Sequence, residues 1–498
     1  MIIEEKQINT VTDLIGDSYK YFRQGEHIIL DCATGSGKTY FVLNVLGNWC
    51  KLNNKRILYL CNRTELKKKV IEESKSFNTE EVIDIYTYQY IQNENNVYEV
   101  REYDYVVFDE CHYIFNEGWN MYTDIISEVL IQRFMSAATM IFMSATGEEI
   151  FKNLINSKVV KKHNRFIIEA DYSYVDKLVF YDEDTYLLDL IDKLSQGEKL
   201  IYICANKEKA YLLKQELGDD AYFMCSKYDK RYKSDNPIKV ISSNPKCISF
   251  DRKVLITTSV LDVGIDIFDK AVTNIVTDLY DMTTLIQALG RKRLVDSNDR
   301  VIIHIKNRNK KNISGIMNGV INELRIANLY LQDKELFAAY VGEQGRTNLV
   351  NKCFYDAVDV NGEVVKVFNH MYYLHLKYKV EELYVAKEIG FDTLVRLKLG
   401  STVKNVEYNS ETKVREQKDK VSIYLESIKD LKLFKAEKEE LINVIGLKDG
   451  RGRKQKALKM LNTYLEINNI SFMIIAKKSG SKRYWKVESI DRIGTNYG

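Results

Sequence analysis

The stretch Leu30-Asp31-Cys32-Ala33-Thr34-Gly35-Ser36-Gly37-Lys38-Thr39, LDCATGSGKT, decides the fold. The apolar run HIILDC ends at about Asp31, and the helical pattern KTYFVLNVLGNWCKL opens at Lys38. Between strand and helix lie two glycines, Gly35 and Gly37, flanking Ser36. Such a loop lets the backbone come close to a ligand and turn its N–H groups inward. The helix N-terminus adds partial positive charge, so the combination is a phosphate cradle. Lys38 is placed to reach the β- and γ-phosphates of a nucleoside triphosphate, and the Thr39 hydroxyl to hold Mg²⁺. The spacing rule G-x-x-x-x-G-K-[ST] puts its first glycine at Cys32, a departure that leaves the cradle intact.

The pattern repeats outward from this loop. RILYLC, VIDIYT, YVVFDE and MIFMSA read as further buried parallel strands, separated by helical stretches such as TELKKKVIEESKSF. From about residue 175 the alternation restarts with KLVFY, KLIYICA, KVLITT, TNIVTDLY and RVIIHIK. Two doubly wound domains follow from that rhythm. The connection SKYDKRYKSDNPIKVISSNPK holds both prolines of the chain and reads as irregular. After about 310 the spacing turns helical. Near the end, RKQKALKMLNTYLEINN is followed by SFMIIA, a Gly-containing turn and RYWKVES. A helix and a basic-tipped hairpin in that order are winged-helix-like.

The sequence FDECH, Phe108–His112, raises the possibility of a transition-metal site. Side chains along a strand alternate faces, so neighbours cannot all turn to one ion. Metal ligands converge from separate elements or at helical spacing. The reading adopted is that Asp109, at the carboxyl end of a strand, binds Mg²⁺ through water and that Glu110 polarises an attacking water. Open α/β sheets place ligands at that edge. Cys111 is then a packing residue and His112 a polar link to the next loop.

Taken in order, CATGSGKT, DECH and SAT (Ser144, Ala145, Thr146) resemble motifs I, II and III of the superfamily 2 helicases, the DEAD/DEAH-box-like ATPases. TYQY, Thr87–Tyr90, is similar to the strand-contacting motif Ib, and CNRTEL, Cys61–Leu66, stands where motif Ia would be. VLITTSVLDVGIDI, Val254–Ile267, resembles motif V, and QALGRKR, Gln287–Arg293, resembles motif VI. The resemblance covers about residues 1 to 310. It implies nucleotide contacts at Gly35, Ser36, Gly37, Lys38, Thr39, Gly264, Asp266 and Gln287, with Gln7 as an upstream adenine reader. It implies coupling of nucleotide state to strand movement through His112, Ser144 and Thr146, and nucleic-acid contacts at Arg63, Thr87 and Thr258. Arg291 matches the first family arginine. The usual spacing puts the second at Leu294, whereas Arg293 stands one residue early, so either arginine can be the finger that meets γ-phosphate charge.

The expected fold is therefore α/β: two tandem RecA-like, doubly wound parallel-sheet domains at 1–165 and 175–310. A helical accessory region at 311–400 and a basic domain at 401–498 with a winged-helix-like end follow. The net charge is +3, yet Lys448–Gly498 carries twelve basic and four acidic residues, a net of +8 that leaves −5 elsewhere. A near-neutral body with a basic tail suggests a polyanion partner, with Lys454, Lys456, Lys478, Lys482 and Arg483 as contacts. No apolar run approaches the roughly 18 residues of a membrane span, and the N-terminus lacks a secretory pattern. Eight cysteines without a C-x-x-C pair argue against a zinc ribbon or disulfide scaffold. The expected activity is a cytoplasmic, ATP- and Mg²⁺-dependent helicase or translocase acting on DNA rather than RNA. The alternatives are duplex translocation or remodelling without unwinding, and a nucleotide-gated binding subunit of a defence or restriction complex. Glu110 speaks against a pure binder, which has no need of a water-polarising base.

Overall fold

The computed structural model describes residues 10–91, 102–116, 136–225, 229, 231–235, 239–240, 247–258, 266–344, 352–358, 361–400, 402–448, 453–480 and 482–490. The chain divides into two units: Met1–Leu178 with Glu183–Asn405, and Val179–Asp182 with Val406–Gly498.

The first unit begins with a short helix, α1 (Val11–Ile15), and β1 (Ile28–Cys32). A helix over residues 38–52 (α2) follows the glycine loop. Then come β2 (Ile57–Cys61), α3 (Thr64–Ser76), β3 (Ile83–Thr87), β4 (Tyr105–Asp109), β5 (Thr139–Ser144), α4 (Glu148–Asn156) and β6 (Arg165–Ile168). The strands form one sheet, in the order β3-β2-β4-β5-β1-β6, with parallel neighbours throughout. The apolar runs cover both faces because alternate side chains go to opposite sides. Ile28 and Leu30 enter a cluster with Phe41, Ile57 and Tyr59, while Ile29 enters another with Leu58, Phe108 and Phe142. Full burial of one such side chain is worth roughly 1.5–3 kcal/mol, so the two clusters fix every strand's facing.

Residues Phe41–Leu46 of α2 are π-helical, which disturbs the normal carbonyl pairing. The buried Thr79 hydroxyl donates to Leu43 O at 2.9 Å and satisfies one of them. A Cβ at Gly47 would stand 3.1 Å from Thr79 Cβ, so the glycine permits this close approach. The sheet extends to Ile168, past the expected limit at 165. Arg165–Ile168 is an edge strand with three apolar residues, and among the described residues it pairs with β1 alone.

The second α/β domain contains β7 (Val175–Tyr181), α5 (Thr185–Lys193), β8 (Lys199–Ile203), α6 (Lys207–Leu217), β9 (Ala221–Met224), β10 (Val254–Thr257), β11 (Val272–Thr277), α7 (Met282–Leu289) and β12 (Val301–Lys306). Its strands run in the order β7-β12-β11-β8-β10-β9, and β12, β11, β8, β10 and β9 are parallel neighbours. Both prolines lie outside the described residues.

The region expected to be helical contains α8 (Lys310–Gln332) and α9 (Lys334–Gln344). It also contains a hairpin that the helical reading missed, β13 (Phe354–Val358) with β14 (Val364–Phe368), before α10 (His370–Ile389) and α11 (Phe391–Leu399). The aromatic ends of the hairpin explain its stability. Phe354 stacks on Phe337 at 4.9 Å, and Phe368 on Tyr330 at 5.2 Å, so α8 and α9 cover the hairpin's rings. Helices α10 and α11 reach both α/β domains. Lys398 pairs with Glu148, His375 Nδ1 lies 3.0 Å from Glu149, and Lys379 lies 3.1 Å from Asp281 at the start of α7.

The second unit holds α12 (Asn409–Ser427), α13 (Lys435–Ile445), α14 (Leu458–Ile467) and the antiparallel pair β15 (Phe472–Ser479) and β16 (Lys482–Ser489). Val421, Leu425, Leu441, Ile445, Leu461, Leu465, Ile474 and Val487 form its core. Between α12 and α13, Leu433 exchanges two backbone hydrogen bonds with Trp485 at 2.8 and 2.9 Å. This bridge adds a third extended segment to the hairpin and ties it to the helices. Among the described residues no helix is long and apolar enough to cross a membrane.

Candidate active site

The carboxyl ends of β1, β2, β3 and β4 bring the first set of expected residues to one edge. Gly35 and Gly37 both have φ of +84°, left-handed conformations open to glycine. A Cβ built on either meets nothing within 4 Å, so the loop encloses open space of the kind a phosphate cradle needs. Ser36 donates to Ala33 O at 2.7 Å. The Lys38 ammonium donates to Cys32 O at 2.6 Å and Ala33 O at 3.0 Å.

Asp109 is buried at the end of β4. Its Oδ2 accepts from the Tyr59 phenol at 2.6 Å, and its Oδ1 from the Glu110 N–H at 3.0 Å. Burial, reinforced by the Glu110 charge, pushes its carboxyl well above the usual range. Glu110 has φ of +49°, an uncommon left-handed backbone for a residue with a Cβ. This turn aims consecutive acids differently: Asp109 toward Tyr59, Glu110 toward Ser144. Cys111 is fully buried, as its packing role requires, and burial pushes its thiol up. Among the described residues no three His, Cys, Asp or Glu side chains converge as a metal cage. Magnesium is commonly held by one or two carboxylates with phosphates and waters, so Thr39 and Asp109 beside an open phosphate cradle fit that ion.

A polar chain then crosses between the two α/β domains. Ser144 donates to Glu110 Oε2 at 3.4 Å, and its Oγ accepts from the Thr146 N–H at 3.0 Å. His112 Nδ1 lies 2.8 Å from Ser144 Oγ. Gln287, on α7, places its Nε2 2.8 Å from both His112 Nε2 and Thr146 Oγ1. An amide nitrogen only donates, so the network assigns a neutral His112 with its proton on Nδ1. Nearby, a Cβ at Gly290 would lie 3.9 Å from Thr34 Oγ1 of the glycine loop.

Arg291 and Arg293 flank a bridge between Ile267 and Lys292, with Ile267 N–H donating to Arg291 O and Arg293 N–H to Ile267 O. Extended geometry puts residues 291 and 293 on one side and 292 on the other. Lys292 is indeed buried, paired with Asp299 at 2.5 Å. Asp266 takes the Arg293 Nε at 3.0 Å and faces Arg291 at 3.9 Å. Thr258 closes β10 with a buried hydroxyl that has no partner among the described residues. Arg63 stands just before α3, Thr87 ends β3, and the Thr87 hydroxyl accepts from the Tyr90 N–H at 3.2 Å. Gly264 and Gln7 lie outside the described residues. Lys454, Lys456, Lys478, Lys482 and Arg483 belong to the second unit and are exposed; the last three surround the hairpin turn, while Lys454 reaches Asn443 at 2.6 Å. Sequence reasoning missed Tyr59 and the α10–α11 charge cluster. Tyr59 is hidden in an ordinary apolar strand, and the cluster is assembled from distant segments.

Residues 1–149 match the family model of the type III restriction enzyme res subunit, and residues 182–293 match that of the helicase conserved C-terminal domain. The chain belongs to the superfamily 2 helicases. Its helicase core is similar to S. cerevisiae Dbp5 bound to RNA and ADP BeF3, at 17% identity over 59% of this chain and 82% of that one, with a TM-score of 0.40. It is also similar to a DEAD box protein from the hyperthermophile Methanococcus jannaschii, at 19% identity over 59% of this chain and 85% of that one, with a TM-score of 0.33. No curated protein matches the helicase.

Proposed function

We propose that this superfamily 2 helicase hydrolyses ATP with Mg²⁺ to drive translocation along DNA, in the cytoplasm, unwinding duplex as it moves. The observation that carries the reading is the Gln287–His112–Ser144–Glu110 chain, which joins the arginine-bearing domain to the acid poised for water activation. Lys38 exchanges its carbonyl partners for the β- and γ-phosphate oxygens. Glu110 orients and polarises the attacking water. Arg291 or Arg293 leaves Asp266 and meets the charge that develops on the transferred phosphoryl group. Thr39 and Asp109 would hold Mg²⁺, which would supply charge neutralisation at the phosphates. Closing of the two domains completes the set and reopening follows hydrolysis. Thr258, Thr87 and Arg63 grip the strand backbone, as movement independent of sequence requires.

The helix–hairpin unit supports DNA over RNA, because three helices with a basic hairpin and a bridging extended segment suit a duplex groove and its phosphates. The test is ATP turnover with single-stranded DNA, duplex DNA, forked DNA and RNA side by side, with strand displacement measured beside translocation. Lys38→Ala should abolish turnover and keep nucleic-acid binding. Normal turnover in that variant removes the glycine-loop assignment; stimulation by RNA alone removes the DNA assignment.

A further inference from the structure

We propose that Tyr59 is a positioning residue for magnesium binding, acting through Asp109. The inference rests on the nucleotide-binding reading above and adds a residue that no motif contains. Tyr59 is the middle residue of β2, fully buried between β3 and β4. Its phenol donates to Asp109 Oδ2 at 2.6 Å.

A phenol has one proton to give, and Asp109 Oδ2 receives it. On Asp109, Oδ2 is held by Tyr59 and Oδ1 by the Glu110 N–H, so the carboxylate cannot rotate without losing a bond. One buried oxygen on β2 thereby orients a ligand at the end of β4. This is the work of an outer-shell partner, and losing such a partner typically costs about 10–100-fold in metal affinity.

The rival view is that Tyr59 only fills the core. Tyr59→Phe separates the two, because it keeps the ring and removes the oxygen. The experiment uses the full chain and N-methylanthraniloyl-ADP as a fluorescent probe, with Mg²⁺ titrated from EDTA upward. In the variant, probe affinity in EDTA should stay within about twofold of the parent. The Mg²⁺ concentration for half-maximal tightening should rise about 10–100-fold, and excess Mg²⁺ should restore binding. An unchanged Mg²⁺ midpoint overturns the proposal. So does an equal loss of affinity with and without Mg²⁺, which marks a structural role. Should Tyr59→Phe fail to fold, Tyr59→Leu carries the test in its place: it also lacks the oxygen, its Mg²⁺ midpoint should rise likewise, and a midpoint near the parent's overturns the proposal. Failure of the parent to bind the probe, or equal binding by Lys38→Ala, instead overturns the nucleotide-binding reading itself.

Discussion

Replacing Gln287 by alanine tests whether the two α/β domains communicate through one amide. The side chain supplies two hydrogen bonds of 2.8 Å across the cleft, to His112 and Thr146. A net contribution of about 0.5–1.5 kcal/mol each gives about 1–3 kcal/mol for the pair. His112 is only 11% exposed, so water replaces the lost donor poorly. A coupling of about 1–3 kcal/mol corresponds to about 5–150-fold in the closed population. In the structure the amide nitrogen is occupied by protein partners and not held ready for a ligand. The expected result is therefore a fall in nucleic-acid-stimulated kcat of about 5–150-fold with KM for ATP nearly unchanged. His112→Ala should lower kcat as well, and the double variant should fall by less than the product of the two, since both remove one link. An unchanged kcat, or a rise in KM alone, would refute the reasoning; the latter would show that Gln287 binds nucleotide directly.

Three further outcomes are expected. Glu382 sits in the α10–α11 cluster, where burial outweighs Lys398 and pushes its carboxyl up to about 7. A raised carboxyl costs nothing below its unfolded value and its full penalty above its folded one. Glu382→Gln should therefore stabilise the fold by up to about 3 kcal/mol at pH 8 and by nothing below about pH 4.5, read from denaturant midpoints at both pH values. Gly147→Ala would put a Cβ 2.4 Å from the fully buried Phe151 ring, so it should destabilise by about 1–3 kcal/mol in the same assay. Lys478→Ala and Lys482→Ala should each weaken DNA binding and reduce the slope of log K against log salt by about 1, with ATP turnover in the absence of DNA unchanged.

Much of the core was legible because its physics is local. Leu30–Thr39 contains the strand end, the two glycines and the helix start within ten residues, so the cradle could be read without knowing what packs around it. The continuous apolar runs announced strands covered on both faces for the same reason. The hairpin at 354–358 and 364–368 was not legible, since its stability comes from rings on α8 and α9 that lie outside the segment. Edge strand β6 escaped because one covered side leaves a weaker apolar signature.

The sequence by itself determined the two-domain α/β core, the glycine loop and the acids that follow β4, because strand periodicity, glycine conformation and helix starts are short-range properties. Only the tertiary structure decided who meets whom. Tyr59 reaches Asp109 across 50 positions and Gln287 reaches His112 across 175. Those contacts depend on strand order and domain packing, which set distances that no local pattern encodes.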